Sequence, residues 1–319
     1  MRRSAALAGL ALALLSVACT HRTRGPVSYR ETKTFPATAG KLVRLELASL
    51  DLLVRAAEAT EITVTVALEA RSGSGRAAQR WVAQHTPVFE DSESTLEVRL
   101  PRRSNGVFVV GMLHTSATVE VTIPPGCRLE VRSASGDVEL EGTAALAGPV
   151  RLNTASGDVG VRGGAASLVV TTASGAVRVA GRDLETLEVE TASGDVTVEA
   201  TTGKALVDTA SGSIRLRSLT GDLSVDTTSG DVRASWRSLP ATGRVSVRTT
   251  SSDVRLRLPV TPALAGRLST SSGRIVSDVD GVWGRSHRSL EIGAAKGGVE
   301  LDVRTTSGDI HLDTTRAEL

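Results

Sequence analysis

The chain has 319 residues, of which 40% are hydrophobic but only 2% aromatic, and 31 are glycine. A core of Val, Leu, Ile and Ala without rings suits thin, regularly stacked β-structure and argues against a bulky globular centre. With 37 basic and 35 acidic residues, the charge is close to balanced and gives no electrostatic ground for nucleic acid as a partner.

The first segment reads as an export leader. Arg2 and Arg3 supply a positive start, and Ala5 to Leu15 form an apolar run too short to cross a bilayer. It ends in Leu15-Ser16-Val17-Ala18-Cys19, which resembles the lipobox of bacterial lipoproteins. There, signal peptidase II cuts before a cysteine that carries diacylglycerol. Ser16 departs from the Leu usual at that position. The resemblance implies a signal peptide over residues 1–18, lipid attachment at Cys19 and a tether over 19–26. The membrane is then a partner through acyl chains. Thr20 stands where an Asp would imply retention at the inner membrane, so an outer-membrane location is expected. Without Arg2 and Arg3 the chain balances at 35 bases and 35 acids. Cys127 is then the one thiol beyond the anchor. It cannot form an internal disulfide, and it is expected to be a small buried hydrophobe.

Residues 27–126 are predicted to form a β-rich cap. Val43, Leu45 and Leu47 alternate before Ser49-Leu50-Asp51, with Leu52 and Val54 after it. Thr63 to Leu68 is a strand by the same alternation, and Arg76 to His85 has the composition of a short helix. Leu96–Leu100 and Ala117–Ile123 are further strands before the turn Pro124-Pro125-Gly126. This block is expected to cover the sheet edge of the first repeat.

From 127 to 319 the sequence repeats itself. Ser-Gly corners stand at Ser135, Ser156, Ser174, Ser193, Ser211 and Ser229, with weaker copies at Ser251, Ser272 and Ser307. Spacings run from 18 to 22 residues, except for 35 before the last. Two, four and six residues before each Ser lie Thr, apolar and apolar, as in Thr191, Val189 and Leu187. Two apolar residues spaced by two come after the corner, as in Val196 and Val198. Period-two alternation means strands with one buried face. Matching units can stack in register and bury a stripe that no single unit could bury. The predicted fold is therefore all-β: a right-handed parallel β-helix, or β-solenoid, of about nine rungs. Columns of Thr and Ser hydroxyls are expected to bond to one another along the stack. The sequence leaves open whether the last rung, ending almost at Leu319, has a free edge; such an edge would invite self-association.

These units resemble the bacterial "putative adhesin" repeat family, a domain of unknown function. The matching stretches are the Thr-Ala-Ser-Gly-Asp-Val and Thr-Thr-Ser-Gly-Asp-Val repeats, Leu42–Val54, Val119–Pro124 and Leu290–Leu312. The resemblance implies a β-solenoid in the cell envelope and carries no active site with it.

No constellation of residues points to catalysis, a cofactor or a metal. The Asp column after the corner glycines could attract Ca²⁺, but Ala176, Ser213 and Arg274 break it. Turn-capping by the Asp side chain is the simpler reading. The five histidines show no metal spacing, and no Gly-x-Ser-x-Gly elbow is present. A partner is best sought at the outward arginines Arg215, Arg217, Arg233, Arg255 and Arg257, and at Trp236 and Trp283 on two insertions. The expected function is a non-catalytic envelope lipoprotein, an adhesin-like module or scaffold that binds an envelope protein or glycan. The alternatives are an accessory of envelope-stress signalling and a carbohydrate-active β-helix enzyme.

Overall fold

A computed structural model describes residues 25–72, 75–100, 113–260, 263–293 and 298–315. The expected leader over residues 1–18, Cys19 and Leu319 lie outside these residues. The described chain is mostly strand, joined into one continuous sheet, with a single α-helix at Gly75–Gln84. Alternation sets burial residue by residue. In Val196–Ser211, Val196, Val198, Ala200, Ala205 and Val207 are buried while the exposed residues between them face outward. Fully burying each such Val contributes about 1.5–3 kcal/mol.

Equivalent positions of successive repeats are direct neighbours in parallel pairs. Before the corner, Val170 pairs with Val189, Val189 with Val207, Val207 with Val225 and Val225 with Val247. After the corner, Val177 pairs with Val196, Val196 with Ile214, Ile214 with Val232 and Val232 with Val254. An antiparallel meander of hairpins would have opposed unlike positions, and among the described residues no two repeats pair that way. Each rung takes the name of its corner serine.

The corners explain the motif. Gly194 has φ of +149°, and a Cβ placed there would lie 2.1 Å from the carbonyl oxygen of Gly175. Glycine is thus required twice, by the backbone angle and by the close approach of the rung beneath. The Asp after the glycine bonds across rungs. Asp158 Oδ1 accepts the Ala176 amide at 2.8 Å and Asp195 Oδ1 accepts the Ser213 amide at 2.8 Å. The same contact joins Asp51 to the Asp137 amide at 3.1 Å. The corner aspartates therefore act between rungs, where a turn cap within one rung was expected. The threonine column differs from expectation too, although Ser135 donates to the Ser49 hydroxyl across rungs at 2.9 Å, as the serine column was expected to do. Thr154, Thr172 and Thr209 donate to the carbonyl of the serine two residues on, at 3.0–3.1 Å. These threonines tie down their own corner and do not chain to one another.

Chain order and spatial order agree from Ser135 to Ser251 and diverge at both ends. At one end, Leu42–Ser49 and Asp51–Ala56 pair with the Ser135 rung on one side. On the other side they pair with Thr95–Arg99 and Leu113–Ile123, which come later in the chain. Beyond these, Glu61–Ser72 and then Val27–Pro36 add antiparallel strands, and Ala78 and Val82 of the helix are buried beside them. At the other end, the Ser307 rung sits between Ser251 and Ser272. Val299–Ser307 pairs with Gly243–Ser251 and with Leu264–Ser272, and Ile310–Thr315 pairs with Val254–Pro259 and Ile275–Ser277. The last repeat is an interior rung, so among the described residues the edge left open by the sequence does not fall there. Ser272 is the outer rung, and Ser289–Ile292 lies antiparallel along Leu264–Ser272. The Asp ladder follows space and not sequence: Asp253 accepts the Asp309 amide, and Asp309 the Arg274 amide, both at 2.8 Å.

Candidate functional site

The strands after the corners carry two outward columns. In the rungs from Ser49 to Ser174 these columns mix acids with bases, and the bases are paired. Arg55 meets Glu120 at 3.2 Å, Arg162 meets Glu141 at 2.7 Å and Arg178 meets Asp158 at 2.6 Å. The Arg178 hydrogen bond, followed by the Ala176 amide, holds the Asp158 carboxyl below its usual value against some burial, and Asp158 in turn raises Arg178.

Higher in the stack the acids give out. Arg215, Arg233 and Arg255 are stacked partners in one column, and Arg257 pairs in register with Ser235 in the next, beside Arg217. Together the five arginines line a groove of about 270 Å³ floored by Leu216, Ala234 and Ser235. Arg217 reaches Glu199 at 2.5 Å, Arg233 reaches Asp231 at 2.8 Å, and Arg215 only approaches Asp195, at 3.8 Å. Arg255 and Arg257 are exposed, and among the described residues neither has an ion-pair partner. Asp313, across the ladder from Arg257, makes no ion pair with it. Like charges stacked at the strand separation of about 4.8 Å repel by on the order of 1 kcal/mol per pair in water. The groove is therefore a standing surplus of positive charge with planar, bidentate donors.

The two tryptophans do not join it. Trp236 is buried at 6% exposure and donates its indole N–H to the Gly221 carbonyl at 2.9 Å. It continues the inward series Val232, Ala234, Trp236, an alternation visible in the sequence. Trp283 is partly exposed on the outer strand Val282–Trp283, with its ring 5.5 Å from that of His287. That strand lies against Ser289–Ile292, at the end of the stack.

The strands before the corners show the opposite bias. Glu190, Asp208 and Asp226 stack in one column through three adjacent rungs, and Glu188 lies beside them. All four are exposed, and among the described residues none is in an ion pair. Arg248, the next residue up the column, bonds Asp302 at 3.0 Å and leaves Asp226 bare. Glu190 and its neighbours were legible as outward residues, but their stacking depends on the register.

Chemistry of other kinds has little to work with. Cys127 is buried, and burial pushes its thiol up against the pull of Lys41. Among the described residues no group of three or more His, Cys, Asp or Glu could hold a metal ion. The corner aspartates Asp51, Asp137, Asp158, Asp195, Asp253 and Asp309 already spend an oxygen on the next rung, and Asp231 bonds Arg233.

A family model described as Toastrack DUF4097 matches residues 42–313, from the strand Leu42–Ser49 into the Ser307 rung, with Val27–Pro36 lying before it. The chain belongs to the Toastrack DUF4097 family. No curated protein matches this Toastrack chain. Among solved structures, it is similar to a putative adhesin of Bacteroides fragilis at 11% identity, covering 92% of this chain and 98% of that one, with a TM-score of 0.42. A structure from Parabacteroides distasonis named as a putative lipid binding protein aligns at 11% identity over 89% and 96%, with a TM-score of 0.38. A putative cell adhesion protein from Clostridium sporogenes aligns at 10% over 91% and 100%, with a TM-score of 0.27.

Proposed function

We propose that this Toastrack chain is a non-catalytic lipoprotein of the cell envelope. In this reading its repeats form a right-handed parallel β-solenoid, a rod tethered by acyl chains on Cys19 at the outer membrane. Its adhesin-like role is to dock an acidic envelope partner in the arginine groove. The observation that carries this is the contrast along one face: bases are neutralised up to Arg178, and beyond it stand five arginines with two left unpaired. Complementary charge supplies orientation and on-rate in such docking.

Two experiments test it. Palmitate labelling in cells, with and without globomycin, should mark the chain and lose the mark in Cys19→Ser; an unlabelled chain removes the anchor. Capture from envelope extracts by the purified protein should recover a defined acidic component, and Arg255→Glu with Arg257→Glu should abolish that capture. Equal recovery by the variant would reject the groove.

A further inference from the structure

The acidic column and the arginine column belong to the same rod, and this fixes their geometry relative to each other. Glu190, Asp208 and Asp226 stand on the Ser193, Ser211 and Ser229 rungs. Arg215, Arg233 and Arg255 stand on the Ser211, Ser229 and Ser251 rungs. Each column has three charges one strand separation apart, about 4.8 Å, because both ride the same stack. They lie on opposite sides of the Ser-Gly corner, so within one chain they cannot meet.

Resting on the reading of the groove as a docking surface, we propose that its acidic occupant is a second copy of this chain. Two rods side by side, pointing the same way and displaced by one rung, bring the three carboxylates of one against the three guanidinium groups of the other. The periods match without adjustment, which an unrelated polyanion would have to achieve by chance. The surface beside the acids suits a close neighbour. Ala173, Ala192 and Ala210 form an exposed stripe of small side chains, and Leu206 is exposed to 36% within the acidic patch. Lys204, a base on this face at these levels, lies four residues from Asp208 along the strand. The contact joins unlike surfaces, so each copy uses its groove on one neighbour and its acids on the next. Such head-to-tail contacts build a ring or an open ribbon. Anchors at the same chain end would hold all copies the same way up and concentrate them in one membrane plane.

The test is the mass of the purified full chain, corrected for bound detergent, by sedimentation velocity. At about 50 mM salt the mass should exceed the monomer and rise with concentration; at about 500 mM it should fall to the monomer, since screening then acts within a few ångströms. Asp208→Lys and Arg233→Glu, both exposed, should each give monomers at low salt with unchanged circular dichroism. The double variant, with the charges exchanged, should regain association. A wild-type monomer at every concentration, or a double variant that stays monomeric, overturns the proposal. If the wild type is monomeric and Arg233→Glu still loses capture of an envelope component while Asp208→Lys keeps it, the groove reading stands and the second copy is rejected.

Discussion

The middle of the molecule and its two ends are built from the same repeat but joined differently. Between Ser135 and Ser251 the next rung in the chain is the next rung in space, so every turn is local. At the ends the two outermost rungs exchange places: 42–56 lies inside the strands Thr95–Arg99 and Leu113–Ile123, and the Ser307 rung lies inside the Ser272 rung. A repeated stack can grow by local turns, but it must close by non-local ones, because an exposed final strand offers unpaired amides and carbonyls to any passing chain. Closure here is made by antiparallel strands, Val27–Pro36 over Glu61–Ser72 and Ser289–Ile292 over Leu264–Ser272.

The largest effect should come from breaking the closure. Truncation after residue 298 removes Val299–Ser307 and Ile310–Thr315, which support rungs on both sides. Residues 264–293 should then become sensitive to limited proteolysis while 128–236 stay resistant. Continued protection of 264–293 would mean that the last repeat is peripheral.

Next in size is a pair of glycines that separates interior corners from end turns. Gly194→Ala should cost about 4 kcal/mol or prevent folding, since the new Cβ meets a backbone oxygen as well as an unfavourable φ. Gly126 has φ of +95° but nothing within 4 Å of an added Cβ, so Gly126→Ala incurs only the left-handed backbone penalty of about 1–2 kcal/mol. Urea denaturation of the two variants measures the difference; equal losses would show that the close rung-to-rung approach is unimportant.

Smaller again is the aspartate ladder. Asp195→Ala deprives the Ser213 amide of its partner and should cost about 1 kcal/mol. Asp195→Asn, which keeps an acceptor oxygen, should recover most of it in the same denaturation experiment.

The smallest effect is pH dependence. Asp158 is held below its ordinary value of 3.8 chiefly by Arg178. Burial opposes the same shift in Glu130, but Arg44 and Arg132 lower it overall. A depressed folded value means stability that is complete above the ordinary carboxylate range and lost as the pH falls through the folded values. The thermal midpoint should therefore hold from neutrality to about pH 4 and then decline, with a shallower decline in Asp158→Asn.

Much of the middle was legible because period-two burial and a constant corner are properties of single residues. Val189 and Val207 could be matched by counting. The order at the ends could not, since matching copies says nothing of which copies touch; the 35-residue gap before Ser307 was the available hint, and it holds the closing strand Ser289–Ile292. The arginine column was legible from outward alternation. Trp236 was misplaced because it was taken with the insertion and not with the strand whose alternation it completes. The role of Asp158 and its equivalents needs a neighbouring rung, which no single repeat displays.

Because the Ser307 rung fills an internal slot with both neighbours taken, a copy placed next to it in the chain could not lie next to it in space without dislodging one of them. Lengthening by tandem duplication is confined to the interior, between about residues 128 and 236, where a new unit would find an identical neighbour above and below. The two sealing devices then act as fixed bookends, and the number of shelves between them is the part that evolution is free to change.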